Sequence, residues 1–278
     1  MITNFVEPTL FRRIVCHSRE SGNPDFELDP RMRGDDTDKI LVLRVFNKNM
    51  IIAGLVKFSL NDYPGKTSAV IFTRGCNFRC RYCHNPELVL PEKYAEEIPL
   101  NEIFAFLESR RGKLDAVCIT GGEPTGHSDL PEMIRKIKEM GFLVKLDSNG
   151  SRPEFLEKII AAGLVDYIAM DVKAPFETYE KIMGSPVSAD KLQKSVKIIL
   201  DSGLPHEFRT TIVKSLTNFD DLRQIAESVR GADNYFLQRF VPTKLNDPTL
   251  MQDVSYSEEE LSELAVELSA FVKHCGVR

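Results

Sequence analysis

The sequence predicts an α/β fold of six short parallel strands alternating with helices, a partial (β/α)6 TIM-type barrel. Two observations carry this. Apolar, β-branched runs recur at residues 69–73, 116–120, 143–147, 167–170, 208–213 and 235–240, short and continuously apolar as parallel strands covered on both faces are. Between them lie stretches whose apolar residues fall three to four positions apart, the spacing of one helix face. Six strand–helix repeats with right-handed crossovers form a parallel barrel or an open part of one.

The helices follow in order. Residues 100–108 carry Ile103, Phe104 and Leu107 on one face, and residues 130–140 carry Met133, Ile134 and Ile137. Residues 153–162, 190–200 and 218–229 repeat the pattern. Ser128 or Asp129 can cap the helix that opens with Leu130-Pro131, and Gly141 can end it. Residues 257–273 open with Ser257-Glu258-Glu259-Glu260, a capping-box pattern, and read as a terminal amphipathic helix supplying the sixth crossover.

At 278 residues the chain can bury a core as one large domain or two small ones. Its 42% hydrophobic and 28% charged residues are ordinary for a soluble globular protein. A net charge of −5 argues against a nucleic-acid footprint or a polybasic membrane patch. No apolar run approaches a membrane span, and the N-terminus lacks a signal-peptide pattern. Six cysteines, three of them packed in one loop, point to a reducing cytosol rather than a disulfide framework. The expected location is therefore cytoplasmic.

The chemistry centres on Cys76-Asn77-Phe78-Arg79-Cys80-Arg81-Tyr82-Cys83-His84-Asn85-Pro86, directly after the first apolar run. A loop of that length can wrap three thiolates around three corners of a cubane iron–sulfur cluster and leave one iron open. Zinc competes, since thiolates bind it well, but structural zinc sites usually come as two separated ligand pairs. No second pair follows here, and His84 adjoins Cys83 too closely to share its metal. The blandest alternative is a disulfide-prone or merely buried trio. Ligand count and spacing favour the cluster over both.

Unusual residues gather where the strands end, the end at which parallel barrels place their chemistry. The second strand runs into Thr120-Gly121-Gly122-Glu123-Pro124. Its paired glycines let backbone approach a ligand closely, or simply make a tight strand-to-helix turn. Cys118 lies inside that strand and reads as packing. The third strand ends Leu146-Asp147-Ser148-Asn149-Gly150, residues that commonly turn the chain or cap a helix. The fourth ends Met170-Asp171-Val172-Lys173, where the Lys beside an Asp can be a plain ion pair. His206, His127 and His274 have no constellation around them and read as surface or local hydrogen-bonding residues.

The cysteine spacing resembles the signature of the radical S-adenosylmethionine (SAM) superfamily, in which an aromatic residue, here Tyr82, precedes the third cysteine. The continuation Cys83-His84-Asn85-Pro86-Glu87-Leu88 is similar to the glycyl-radical-enzyme activases. Within these, the run from Ile52 to Lys66 resembles activating proteins of anaerobic ribonucleoside-triphosphate reductase. The resemblance covers about residues 52–242. It implies a [4Fe-4S] cluster on Cys76, Cys80 and Cys83, with SAM chelating the open iron. It implies SAM contacts from Tyr82, the Gly121-Gly122-Glu123 segment, which binds the amino group, Ser148, and Lys173, which meets the carboxylate. Asp147 and Asp171 are implied to help form a monovalent cation site. Implied partners are a large glycyl radical enzyme, anaerobic ribonucleotide reductase, and an electron donor such as flavodoxin. The pattern departs on the sixth predicted strand: related activases carry a SAM-contacting His there, and this chain has Leu237-Gln238-Arg239-Phe240. Gln238 or Arg239 is left to substitute, and Arg209 on the fifth can point into the barrel. Two other classes remain: a radical SAM enzyme acting on another glycyl radical protein, a peptide or a small molecule, and a metal-binding regulatory module without catalysis.

Residues 1–49 read differently from the rest. The stretch 17–36 is turn formers and charges without helical or strand period. It is similar to the translation of a dispersed palindromic DNA repeat. The expectation is a disordered N-terminal extension over 1–49, from an upstream-extended start or an inserted repeat, and a core domain with C-terminal helix over 50–278. The alternative is a small capping strand at 40–46.

Overall fold

A computed structural model describes residues 50–278; the expectations for residues 1–49, including the strand at 40–46, lie outside them. Eight strands form one sheet in chain order. They are β1 (Ile52–Ser59), β2 (Ser68–Thr73), β3 (Ala116–Gly121), β4 (Leu143–Ser148), β5 (Tyr167–Asp171), β6 (His206–Ile212), β7 (Asn234–Arg239) and β8 (Cys275–Val277). β1 pairs antiparallel with β2, and every later neighbour pair is parallel. The six predicted strands are β2–β7.

The helices are α1 (Pro86–Val89), α2 (Leu100–Arg110), α3 (Leu130–Glu139), α4 (Pro153–Ala161), α5 (Tyr179–Met183), α6 (Ala189–Asp201), α7 (Phe219–Ser228) and α8 (Glu258–Leu268). Helices α2, α3, α4, α6, α7 and α8 are the six crossovers. The capping box on α8 forms as the sequence predicts, Ser257 accepting from Glu260 N while Glu260 reaches back. Asp129 sits at the N-cap of α3, but its side chain accepts instead from Met50 N at 2.9 Å and so ties the start of the described chain to that helix.

Strand periodicity splits the core in two. Ala69, Ile71, Val117, Ile119, Val144, Leu146, Ile168, Met170 and Phe208 face the helices in one large apolar layer. The opposite face holds a small cluster around Tyr63, Val70, Cys118 and Tyr167. In register with these come Lys145, Asp147, Asp171, Glu207 and Arg209. The inside of the half-barrel is thus apolar at one side and ionic at the other.

Candidate active site

The cysteine loop leaves the end of β2 and is anchored from four directions. Gly122 N donates to Thr73 O and Glu123 N to Gly75 O, each at 2.8 Å, which fixes the root of the loop to the end of β3. This contact is the reason for the glycine pair: a Cβ on Gly121 or Gly122 would collide with the backbone of Thr73 or Gly75, and Gly121 has φ +119°. Arg79 Nη1 closes the loop on Cys76 O at 2.6 Å, and Arg79 N donates to Met183 O at 3.0 Å. Far along the chain, Asn246 Nδ2 donates to Cys80 O at 3.0 Å and Arg81 pairs with Asp247 at 2.8 Å. His84 does not turn toward a metal. Its Nε2 lies 2.9 Å from Val241 O and its ring stacks on Phe240.

All three cysteines line one cleft of about 190 Å³ at the C-terminal strand ends. Tyr82, Gly121, Gly122, Glu123, Asp147, Ser148, Asp171 and Lys173 line it too, as does Arg209; Gln238 and Arg239, the two candidates to replace the missing His, do not. Cys118 does not: it is packed with Tyr63, Val70 and Tyr167 on the inner face. Burial pushes the Cys76 thiol up to about 12, with the Glu123 charge adding to it, and Cys80 up to about 11; Cys83 is raised by the same cause. Ligation by these thiols therefore has to expel protons.

Glu123 is buried, and its carboxylate already accepts four hydrogen bonds. Oε1 takes Thr125 N at 3.2 Å, Thr125 Oγ1 at 2.5 Å and Ser148 Oγ at 2.8 Å; Oε2 takes Asn149 N at 2.7 Å. Glu123 thus braces the Gly-Gly turn against the end of β4. Burial still raises its carboxyl above the ordinary range. Ser148 serves the same brace, its hydroxyl donating to Glu123 and accepting from Gly150 N.

Lys173 Nζ sits 3.0 Å from Asp171 Oδ2 and its side chain is 14% exposed. Burial opposes its charge, but Asp171, with Cys80, Tyr82 and Tyr179 adding to it, holds its pKa well above the ordinary value. Asp147 and Asp171 do come together, and a guanidinium lies between them: Arg209 Nε is 2.8 Å from Asp171 Oδ1 and Nη1 is 3.2 Å from Asp147 Oδ2. Burial alone would raise both carboxyls; Arg209, helped by Lys145 at Asp147 and Lys173 at Asp171, holds them below the carboxylate range. Of the two candidates on β7, Gln238 faces the interior, accepting from Thr211 at 3.5 Å, whereas Arg239 pairs with Glu258 on the outside.

Sequence reasoning missed Asn149, whose amide reaches Asn77 at 3.0 Å and lies 3.8 Å from Cys76 Sγ. It also missed Lys145 and Glu207. Their signal was charge at every second position of an otherwise apolar strand, Lys145 and Asp147 on β4, Glu207 and Arg209 on β6.

The model of the Radical SAM superfamily matches residues 70–229, more than half of the chain and the whole of this cleft. The chain belongs to the radical SAM superfamily. It is 35% identical over 233 residues to a Methanocaldococcus jannaschii protein provisionally named a glycyl-radical enzyme activating enzyme, covering 82% of this chain and 95% of that one. It is 30% identical over 206 residues to the pyruvate formate-lyase-activating enzyme of Streptococcus mutans, covering 68% and 76%. Among solved structures, SuiB of Streptococcus suis bound to S-adenosylmethionine superposes with a TM-score of 0.58 at 15% identity. That match covers 75% of this chain and 49% of SuiB, so the chain spans about half of SuiB and shares its fold.

As a radical SAM enzyme the protein uses a [4Fe-4S] cluster and SAM, and its residues fit both. Three thiols open into one cleft, and the Tyr82 hydroxyl is buried without a hydrogen-bond partner among the described residues.

Proposed function

We propose that this radical SAM enzyme is a glycyl-radical-enzyme activase whose partner is anaerobic ribonucleoside-triphosphate reductase, acting in the cytoplasm with an electron donor such as flavodoxin. The observation that carries the reading is the convergence of the three-cysteine loop, the Gly-Gly turn, Ser148 and Lys173 on one cleft, in a chain aligned with 95% of a relative named for glycyl radical activation. Among the described residues no helix is long and apolar enough to cross a membrane, which suits the cytoplasmic reading.

When bound, the cluster and SAM supply reductive cleavage to methionine and a 5′-deoxyadenosyl radical, which takes a hydrogen atom from a backbone glycine of the partner. Every other part belongs to the chain. Cys76, Cys80 and Cys83 would hold the cluster, which would supply the electron for that cleavage. Lys173, charged and held by Asp171, binds the methionyl carboxylate through a charge-assisted bond. Gly121 and Gly122 present backbone to the amino group on a turn that Glu123 and Ser148 brace. Tyr82 closes the cleft beside Cys83. The buried residues around the cleft keep other hydrogen donors and oxidants away from the site.

The test is electron paramagnetic resonance on the anaerobically reduced protein with SAM and the large subunit of anaerobic ribonucleotide reductase. A glycyl radical doublet on that subunit is expected. SAM cleavage without a radical on any glycyl radical protein would leave a radical SAM enzyme acting on a peptide or small molecule.

A further inference from the structure

The ionic half of the barrel interior has one feature that the cleft residues alone do not explain. Asp171 and Arg209 are directly paired across β5 and β6, so their side chains stand side by side on the inner face. The guanidinium, 12% exposed, spans Asp171 and Asp147 and reaches Glu207 Oε1 at 3.5 Å. Asp171 divides its oxygens: Oδ1 to Arg209 and Oδ2 to Lys173. Lys145 Nζ joins the other side, 3.1 Å from Asp147 and 3.4 Å from Glu207. Three carboxylates thus face Lys145, Lys173 and Arg209, and Arg278 adds a further cation 3.2 Å from Glu207. Charge is already balanced before any ion arrives. A free monovalent cation needs several oxygen ligands, and each aspartate already turns one oxygen to a planar fork that never loses its charge and the other toward a lysine. The pair does not fit a cation.

We propose that Arg209 is a tethered replacement for a free monovalent cation, bridging Asp147 and Asp171 and thereby positioning Lys173, so that SAM binding by this chain requires neither potassium nor sodium. The proposal rests on the SAM-binding role given to Lys173 above and is independent of which glycyl radical protein is the partner. Arg209 is a positioning residue: it acts on SAM through Asp171.

The test measures SAM affinity of the anaerobic holoprotein, from the change SAM makes in the spectrum of the reduced cluster. Potassium, sodium and tetramethylammonium chloride are compared at equal ionic strength. Wild-type affinity is expected to agree within about twofold across the three salts. Arg209→Ala is expected to bind SAM about tenfold or more weakly in tetramethylammonium, with recovery on adding potassium or guanidinium chloride. The loss should fall on the KM for SAM rather than on kcat, and a merely structural defect would not respond to a small cation. If Arg209→Ala fails to hold a cluster, Arg209→Lys takes its place: one ammonium reaches one carboxylate, and potassium should restore the rest. Wild-type affinity that drops about fivefold or more in tetramethylammonium would overturn the proposal. So would a variant that binds SAM like the wild type, or one that no small cation rescues. A wild-type protein that binds SAM in none of the salts would instead sink the SAM-site reading itself.

Discussion

Replacing Glu123 by Ala separates a brace from a ligand contact. The carboxylate accepts from the backbone N–H groups of Thr125 and Asn149 and from the hydroxyls of Thr125 and Ser148, all buried. The hydroxyls can rotate to other acceptors; the two backbone donors cannot. Each buried donor left without a partner costs about 1–3 kcal/mol, so the substitution should destabilise the fold by about 2–6 kcal/mol. Against a total of about 5–15 kcal/mol that is a large fraction. With a urea m-value of about 3 kcal/mol/M, the unfolding midpoint should fall by roughly 1–2 M. The control is Lys173→Ala, after which Asp171 still keeps Arg209. That variant should unfold near the wild-type midpoint yet bind SAM about ten- to a hundredfold more weakly. Anaerobic urea titrations of both cluster-loaded variants, paired with SAM-binding measurements, decide the matter. A Glu123→Ala protein with an unchanged midpoint and collapsed SAM binding would refute the brace.

Three further predictions can be checked with standard variants. Cys76→Ala, Cys80→Ala and Cys83→Ala should each lose the cluster by iron and sulfide analysis, while Cys118→Ala and Cys275→Ala, buried away from the cleft, should retain it. Asp147 and Asp171 are depressed in the folded protein, so their stabilisation is complete above the unfolded carboxylate pKa of about 4 and fades as pH falls below it. Urea midpoints from pH 6 down to pH 3 should show Asp171→Asn destabilised throughout, with the gap to wild type constant above about pH 4 and only beginning to narrow by pH 3, because the folded Asp171 carboxyl stays ionised well below the usual carboxylate range. A chain shortened to residues 50–278 should fold and load a cluster like the full chain, because β1 starts at Ile52 and Met50 N is already tied to Asp129; an insoluble or cluster-free product would assign residues 1–49 a structural part.

What was legible in the sequence is what is local. The strands β2–β7 announce themselves as continuous apolar runs because helices cover them, and the cysteine loop carries its ligands within eight residues. Among the described strands β1 is outermost, and its second half, with Val56 and Phe58 exposed, lacks an alternating pattern. β8 is only Cys275–Val277, too short for any period. Long-range contacts were invisible for a different reason: Asn246 and Asp247 clamp a loop 166 residues away, and no local propensity encodes that. The partners of Glu123 were equally out of reach of the sequence, since Ser148 and Asn149 arrive from the end of the next strand. The guanidinium between the two aspartates follows from strand register, which sequence alone does not fix.

The most direct measurement of the central claim follows the hydrogen atom. Anaerobic ribonucleotide reductase prepared with α-deuterated glycine would be incubated with the reduced protein and SAM, and the released 5′-deoxyadenosine analysed by mass spectrometry. The account predicts 5′-deoxyadenosine carrying one deuterium, formed together with the glycyl radical on the reductase. Abundant 5′-deoxyadenosine without deuterium, and no radical on the reductase, would contradict it.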